Sequence, residues 1–263
     1  MDLSNEFIVH TKIDDVEVLK FKELMKYANI EHAFALKPLS FRNNEAMADN
    51  YKKLFKAMDW DYTCLVKPTQ RHTGNVLIID RKQNTDDADY NLDYLDNVDA
   101  VITNKPGIAL ATTCADCLNI LLYDDTKKVI ANIHSGWRGS LQKIAQKTAN
   151  NMIEVFGCNP ADIKAYMMPA IRKCHFEVGE DVIDDFRQNV GYMENVIENG
   201  RVVDGKPKYN IDNILINKNL LLECGIKEIY DSNICSFCSN EMIHSKRADG
   251  DDFGLCTTII MMK

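Results

Sequence analysis

The sequence has no apolar run that approaches membrane-spanning length, and its first residues, Met1 to Glu6, are mostly polar with two acidic side chains. A membrane span needs about 20 consecutive apolar residues, and an export signal needs a basic segment followed by an apolar core. These absences predict a cytoplasmic protein with no membrane partner.

Basic residues are also scarce relative to acidic ones, 31 against 39, so the formal net charge is −8. An acidic surface repels polyanions, so we expect no nucleic-acid partner and a small ligand, with any phosphate held by local cations. The nine cysteines are not preceded by an export signal. They therefore indicate reduced thiols, available for metal binding or catalysis, and not a disulfide framework.

The chain lacks internal repeats, low-complexity tracts and a Pro/Gly/Ser-rich linker, which predicts one domain over residues 1–263. The polar stretch 81–97 predicts a surface loop. Short β-rich apolar runs predict strands whose sequence neighbours are often antiparallel. These runs are Val76–Ile79, Ala100–Thr103, Ile108–Thr112, Ile120–Tyr123, Val129–Ile133, Ile163–Met168, Lys227–Tyr230 and Thr257–Met261.

Apolar residues at three- and four-residue steps predict an amphipathic helix that begins after Gly139 and is capped by Gly157. Two further helices are expected, one over 180–188 and one from Asp212, as N-cap, to Gly225. Clusters of strands separated by helices predict the α+β class, as a layered sandwich with mixed sheets.

Reactive residues stand where three of these elements end, in segments 70–74, 113–117 and 134–139. A single histidine or cysteine at such a place is usually structural. Two imidazoles and one thiolate together form a ligand set suited to zinc, with a fourth position open for water or substrate. His72, Cys117 and His134 are therefore candidate catalytic residues and zinc ligands.

The sequence resembles the laccase-domain family, also called the YfiH/YlmD-like family and formerly polyphenol oxidase. Six segments over most of the chain carry the resemblance: Gln70–Thr73, Ala100–Thr103, Ala115–Cys117, His134–Gly139, Pro169–Ile171 and Cys174–Gly179. The resemblance implies a purine nucleoside phosphorylase that also deaminates adenosine and cleaves methylthioadenosine, with zinc held by His72, Cys117 and His134. The implied fold is an α/β sandwich related to the cysteine-hydrolase domain of cytotoxic necrotizing factor.

Departures from the family pattern fall on cations. The N-terminal family arginine is Lys37 here, the paired C-terminal arginines are Lys246 and Arg247, and a later Gly-Arg is Gly254-Leu255. Lysine keeps the charge but loses the planar two-point grip of arginine on phosphate.

We expect Lys37, Lys246, Arg247 or Arg138 to position phosphate, and Asp116 to orient a histidine at the metal. Purine nucleosides and phosphate are the expected partners, and the expected assembly is a monomer or weak homodimer. A metal with this ligand set would also serve adenosine deamination, by lowering the pKa of a bound water.

Alternative interpretations use the same residues. A metal-independent hydrolase would take Cys117 as nucleophile and His134 as base. Copper also accepts two His and one Cys, but six histidines are too few for an additional multicopper cluster. A peptidoglycan-precursor editing factor and a non-enzymatic binding protein are further alternatives.

A second deaminase signature, His-x-Glu with a later Cys-x-x-Cys, is matched by His175 with Glu177 and by Cys235 with Cys238. We interpret this match as coincidence, because the proline before the first cysteine is missing and the interval is long. Cys235 and Cys238 would make only half a zinc site, so we expect core or near-surface thiols.

Overall fold

The computed structural model describes residues 1–80, 95–189 and 195–263. The strands are β1 (Ile8–Ile13), β2 (Val16–Phe21), β3 (Ile30–Ala35), β4 (Cys64–Val66), β5 (Val76–Ile79), β6 (Ala100–Thr103), β7 (Ile108–Cys114), β8 (Leu118–Asp124), β9 (Val129–Ser135), β10 (Ile163–Met167), β11 (Glu177–Val178), β12 (Ile197–Val203), β13 (Lys206–Ile211), β14 (Glu228–Asp231) and β15 (Cys256–Met262). The α-helices are α1 (Met47–Ala57), α2 (Trp137–Leu141), α3 (Ile144–Phe156), α4 (Glu180–Asn189), α5 (Asn213–Glu223) and α6 (Lys246–Asp249).

Two six-stranded mixed sheets form the centre of the fold. The first has the order β1-β2-β3-β15-β7-β4 and is antiparallel except for the β4–β7 pair. The second has the order β14-β10-β8-β9-β6-β5, in which β10–β14 and β5–β6 are parallel. A third, antiparallel sheet has the order β11-β13-β12. The α+β class with mixed sheets is therefore confirmed.

The hydrophobic core divides into layers because alternate residues of a strand face opposite sides of its sheet. Leu110 of β7 and Val101 of β6 share the cluster between the two large sheets. Ala109, the neighbour of Leu110, instead belongs to the cluster on the α1 side, and Ala145 of α3 packs on the outer face of the second sheet. The order of layers is thus helix, sheet, sheet, helix. Because the central strands are buried on both faces, their sequences are continuous apolar runs.

Buried polar side chains connect the two large sheets directly below the ends of β7, β8 and β9. The Asn132 side chain donates to the carbonyl groups of Leu110 and Thr258, both at 2.9 Å, and accepts from Thr112 Oγ1 at 2.6 Å. Asn119 Nδ2 donates to Thr258 Oγ1 at 2.9 Å. Buried hydrogen bonds of this kind, which join side chains of one sheet to the other, favour one register between the packed sheets. They set where Cys117, two residues before Asn119, and His134, two residues after Asn132, emerge.

Several sequence predictions are confirmed at the level of elements. β5 and β6 have the predicted bounds, and the predicted cap of α5 forms, since Asp212 Oδ1 accepts from Leu215 N at 2.9 Å. Gly157 ends α3 in the left-handed region, with a φ of 65°. The loop predicted over 81–97 falls mostly outside the described residues.

Other predictions need correction. The long helix predicted after Gly139 is two helices, because Lys143 has a φ of 58° and interrupts the helical backbone between α2 and α3. β9 continues through Ser135, so His134 lies inside a strand and the turn is at Gly136. β5 and β6 are parallel, and β7 and β8, although consecutive, belong to different sheets.

Candidate active site

Three chain segments bring His72, Cys117 and His134 together. His72 lies in the loop between β4 and β5, Cys117 in the turn between β7 and β8, and His134 near the end of β9. Cys117 Sγ is 3.8 Å from His72 Nε2, and the two imidazole rings are 4.9 Å apart in an edge-to-face arrangement. One ligand atom from each residue lies within 4.8 Å of the others. His134 is buried, Cys117 half-buried and His72 exposed, so the cluster opens to solvent at His72.

The buried carboxylate of Asp99 organises this cluster. Its Oδ1 accepts from His134 Nδ1 at 2.8 Å and from the backbone N–H of His72 at 3.0 Å. Its Oδ2 accepts from Thr73 Oγ1 at 2.7 Å and from the backbone N–H groups of Thr73 and Arg71 at 2.8 and 3.2 Å. Asp99 therefore keeps the His134 proton on Nδ1, which leaves Nε2 free to act as a ligand or base.

Two glutamines complete the support of the loop that carries His72. Gln70 pairs with the backbone of Thr113 through two hydrogen bonds of 2.8 Å. Gln142 donates to the His72 carbonyl at 3.1 Å and accepts from Gly74 N at 2.9 Å. These contacts hold His72 in a left-handed backbone conformation, with a φ of 62°, which is uncommon for residues other than glycine.

The electrostatics of the cluster favour a thiolate beside an imidazolium when no metal is bound. Burial raises the pKa of Cys117, but the charge of His134 and hydrogen bonds from His134 and His72 outweigh it and lower the pKa to about 6. Burial lowers the pKa of His134, but the Cys117 thiolate and Asp99 raise it to about 9. Burial likewise opposes ionisation of Asp99, yet His134 and Thr73 hold its pKa at about 2.

The donor set and the space around it fit a zinc ion. A thiolate and two imidazole nitrogens are borderline-soft ligands, and three protein ligands with an open side are typical of catalytic zinc. Gly136 borders the cluster so closely that a Cβ there would lie 2.9 Å from His72 Cδ2 and 3.0 Å from Cys117 Sγ. The turn after β9 thus leaves this volume free for the ligands.

The role predicted for Asp116, to orient a histidine, is not what the structure shows. Asp116 Oδ1 accepts from Ser236 Oγ at 2.6 Å, and Oδ2 accepts from the backbone N–H of Arg247 at 2.7 Å. Asp99 occupies the place at His134 instead. Asp99 was not predicted from the sequence, although a carboxylate directly before the apolar strand β6 is the kind of buried charge that needs a partner.

Lys37 is not free to hold phosphate. Its Nζ donates to the carbonyl of Asn240 at 2.7 Å and forms an ion pair with Asp249 at 3.1 Å. Asp249 is the last residue of α6, so Lys37 fixes this helix in place.

Arg138, Lys246 and Arg247 are exposed, and none of the described residues forms an ion pair with them. Arg138 packs over the Trp137 ring at 4.2 Å. Arg247 donates from NH1 and NH2 to the carbonyl groups of His175 and Glu177, at 3.0 and 2.9 Å. All three side chains therefore carry a charge that is not paired with a carboxylate among the described residues.

A second group of metal-ligating side chains is formed by Cys174, His175, Cys235 and Cys238, whose ligand atoms also lie within 4.8 Å of one another. This corrects the expectation that Cys235 and Cys238 are core or near-surface thiols without further ligands. The sequence pattern brings His175, Cys235 and Cys238 together only as a deaminase signature, interpreted above as coincidence, and does not add Cys174 to them.

Comparison with known proteins identifies the family. The family model described as multi-copper polyphenol oxidoreductase laccase matches residues 33–263. The chain belongs to this laccase-domain family. A purine nucleoside phosphorylase of Bacteroides thetaiotaomicron is 30% identical over 94% of this chain and 97% of the relative. An adenosine deaminase from an unknown prokaryotic organism is 31% identical over 77% of each chain.

The laccase-domain fold is confirmed by a solved structure. The YfiH protein of Bacillus licheniformis superposes with a TM-score of 0.83 at 23% identity, over 98% of this chain and all of the other. The YfiH-like architecture expected from sequence is therefore correct. Among the described residues, no helix has both the length and the apolar character needed to span a membrane.

Proposed function

We propose that the chain is a zinc-dependent purine nucleoside phosphorylase, which converts adenosine, inosine or guanosine and phosphate to free base and ribose 1-phosphate. We include adenosine deaminase and methylthioadenosine phosphorylase activities in the proposal. The observation that carries it is the convergence of His72, Cys117 and His134 around an open position, with Asp99 behind them. The names of the two relatives, a phosphorylase and a deaminase, support the same reaction pair.

In this proposal His72, Cys117 and His134 hold zinc. When bound, zinc supplies a Lewis acid that activates water for deamination and polarises the purine. Asp99 keeps the Nδ1 proton of His134 in place and so presents Nε2 to the ion. Because His72 is the exposed member of the three, the purine enters from its side.

Phosphorolysis breaks the bond between the sugar C1′ and the purine nitrogen and forms a bond from C1′ to a phosphate oxygen. The sugar carries positive charge in the transition state, and the phosphate nucleophile must be held next to it. Arg247, Lys246 and Arg138 are exposed cations without an acidic partner in the described ranges, and we assign them to phosphate. Lys37 contributes indirectly, since its ion pair with Asp249 fixes α6, which carries Lys246 and Arg247.

A nucleoside screen tests the proposal. Adenosine, inosine, guanosine and methylthioadenosine are incubated with the protein, with and without phosphate, and released base and inosine are measured. We expect base release that requires phosphate, and inosine formation from adenosine that does not. Cys117→Ala should lose both activities, whereas Cys224→Ala, a half-buried cysteine outside both clusters, should keep them. A folded Cys117→Ala variant with full phosphorolysis would refute the assignment.

The Asp99–His134–Cys117 arrangement also favours a second candidate, a metal-independent cysteine hydrolase. A thiolate beside an imidazolium that is oriented by a carboxylate is the arrangement of an activated nucleophile. In that case activity would survive a chelator, and an alkylating agent directed at Cys117 would abolish it. In the phosphorylase, removal of zinc by the chelator abolishes activity, and added zinc restores it.

A further inference from the structure

Four side chains outside the candidate active site form a compact, closed set of metal ligands. Cys174 Sγ lies 3.7 Å from Cys235 Sγ and 4.0 Å from Cys238 Sγ. His175 Nδ1 lies 3.2 Å from Cys174 Sγ and 3.3 Å from Cys238 Sγ. With metal–sulfur bonds of about 2.3 Å, the sulfur atoms of a tetrahedral zinc site are about 3.8 Å apart. The observed spacing is that of one mononuclear site.

The sheet topology explains why these residues meet across 61 positions of sequence. β10 and β14 are parallel neighbours, so the chain leaves both strands at the same edge of the sheet. The segments that follow β10 and β14 stay paired through a parallel bridge between Ala170 and Cys235, and Ser236 N donates to the Ala170 carbonyl at 3.0 Å. The segment after β10 supplies Cys174 and His175, and the segment after β14 supplies the Cys-x-x-Cys turn.

The chemistry of the cluster fits a bound metal better than free thiols. Cys174 and Cys238 are exposed, and exposed free thiols are open to oxidation. The ring of His175 stacks on Phe237 at 4.2 Å, which holds its Nδ1 toward the sulfur atoms. We propose that Cys174, His175, Cys235 and Cys238 bind a second zinc ion, in a structural site.

The fourth ligand decides between a structural and a catalytic role. Three of the residues, His175, Cys235 and Cys238, are those of the deaminase signature found in the sequence. In a zinc deaminase the fourth position is open for water and a glutamate stands beside it. Here Cys174 occupies the fourth position, and Glu177 instead binds the guanidinium of Arg201 at 2.9 and 3.2 Å. Four protein ligands close the site, as in structural zinc sites.

The second site is connected to the wall of the candidate active site. Ser236, inside the Cys-x-x-Cys turn, donates to Asp116, the neighbour of Cys117. Arg247 donates to the His175 carbonyl from its side chain and to Asp116 from its backbone. The second zinc ion is therefore placed to position Arg247. This positional role rests on the proposed function, since it assumes that Arg247 holds phosphate, whereas metal binding does not.

Metal counting tests the second site. Native mass spectrometry and elemental analysis of protein purified under reducing conditions without chelator should give two zinc ions per chain. Cys238→Ser should retain one, Cys117→Ser should retain one, and the double variant none, while the control Cys224→Ser keeps two. Cobalt replacement in Cys117→Ser should give intense thiolate-to-cobalt absorption, as expected for three thiolates. If a variant fails to fold, the number of zinc ions per unmutated chain still tests the second site.

The outcomes separate the two sites. One zinc ion in the unmutated protein, lost in Cys117→Ser and kept in Cys238→Ser, would overturn the second site. The reverse pattern would support the second site and count against zinc in the proposed function. An iron ion in place of zinc, or a disulfide among the four residues in the freshly purified protein, would also overturn the assignment.

Activity then tests the positional role. With two zinc ions established, Cys238→Ser should raise the KM for phosphate about tenfold or more and leave deamination of adenosine, which needs no phosphate, nearly unchanged. A general loss of structure would lower both activities together. Unchanged phosphate KM in a variant that has lost the second ion would refute the positional role.

Discussion

Replacement of Asp99 by asparagine isolates the residue that orients the zinc ligands without changing the size of its side chain. The carboxylate accepts hydrogen bonds on both oxygens, from His134 Nδ1 and from the loop that carries His72. An asparagine has only one acceptor oxygen, and its amide group must face one of these donors. If it faces His134, the imidazole proton moves to Nε2, and that nitrogen can no longer bind zinc.

The expected magnitude follows from what such partners contribute. Loss of a residue that orients a metal ligand typically costs 10- to 100-fold in metal affinity, which corresponds to about 1.4 to 2.7 kcal/mol. We expect zinc affinity at this site to fall in that range in Asp99→Asn, and phosphorolysis and deamination to fall with it at limiting zinc. If the amide group faces the loop instead, His72 loses its support, and the affinity falls for that reason.

Zinc affinity is measured by competition with a chromogenic chelator, and the ion in question is the one that Cys117→Ser removes. Asp96→Asn is the matched control, because Asp96 precedes the same strand and, within residues 1–80, 95–189 and 195–263, its exposed carboxylate pairs with Arg71 Nε alone, at 3.1 Å. The control should bind zinc as the unmutated protein does. A folded Asp99→Asn variant with unchanged zinc affinity and full activity would refute the argument that Asp99 sets the tautomer of His134.

Three further predictions test separate parts of the account. Gly136→Ala should fold, because the φ of −67° at this position is one that alanine readily adopts. It should lose zinc and both activities, because its methyl group would lie 2.9 Å from His72 Cδ2, and a variant that retains zinc would contradict this packing argument. Burial lowers the pKa of His32 to about 3 from 6.5, so its neutral ring stabilises the fold fully above pH 6.5 and progressively less as the pH falls. Urea unfolding should therefore show about 2 kcal/mol more stability lost between pH 6.5 and pH 5 than in His32→Gln, and parallel curves would exclude this role. Arg138→Ala should raise the phosphate KM about tenfold with little change in deamination, whereas the control Lys52→Ala should change neither. If Arg138→Ala has the same phosphate KM as the unmutated protein, Arg138 is not part of the phosphate site.

The elements that could be predicted from sequence are those set by local patterns. Apolar runs identified β5 and β6 with their exact bounds, and the Asp212 cap identified the beginning of α5. The N-terminal strands β1 to β3 were not predicted, because polar residues, most of them half-buried or buried, interrupt their apolar runs. These are His10, Thr11 and Lys12 in β1, Glu17 and Lys20 in β2, and Glu31 and His32 in β3. The break between α2 and α3 was missed because it depends on the backbone conformation of one residue, Lys143.

The candidate site was only partly predictable for a physical reason. His72, Cys117 and His134 stand out because their chemistry is unusual for residues at strand ends. Asp99 is 35 residues from its partner, and a single aspartate before a strand carries no local signal of what it contacts. The second group required knowledge that β10 and β14 are parallel neighbours, which depends on tertiary packing and not on the local sequence.

An X-ray anomalous difference map recorded at the zinc absorption edge shows whether His72, Cys117 and His134 hold a zinc ion. We expect a peak about 2.0 to 2.3 Å from the Cys117 sulfur and from one nitrogen each of His72 and His134, with the bound ion exposed on its fourth side. Crystals grown from protein that is active in phosphorolysis, with no anomalous density among these three residues, would contradict this expectation.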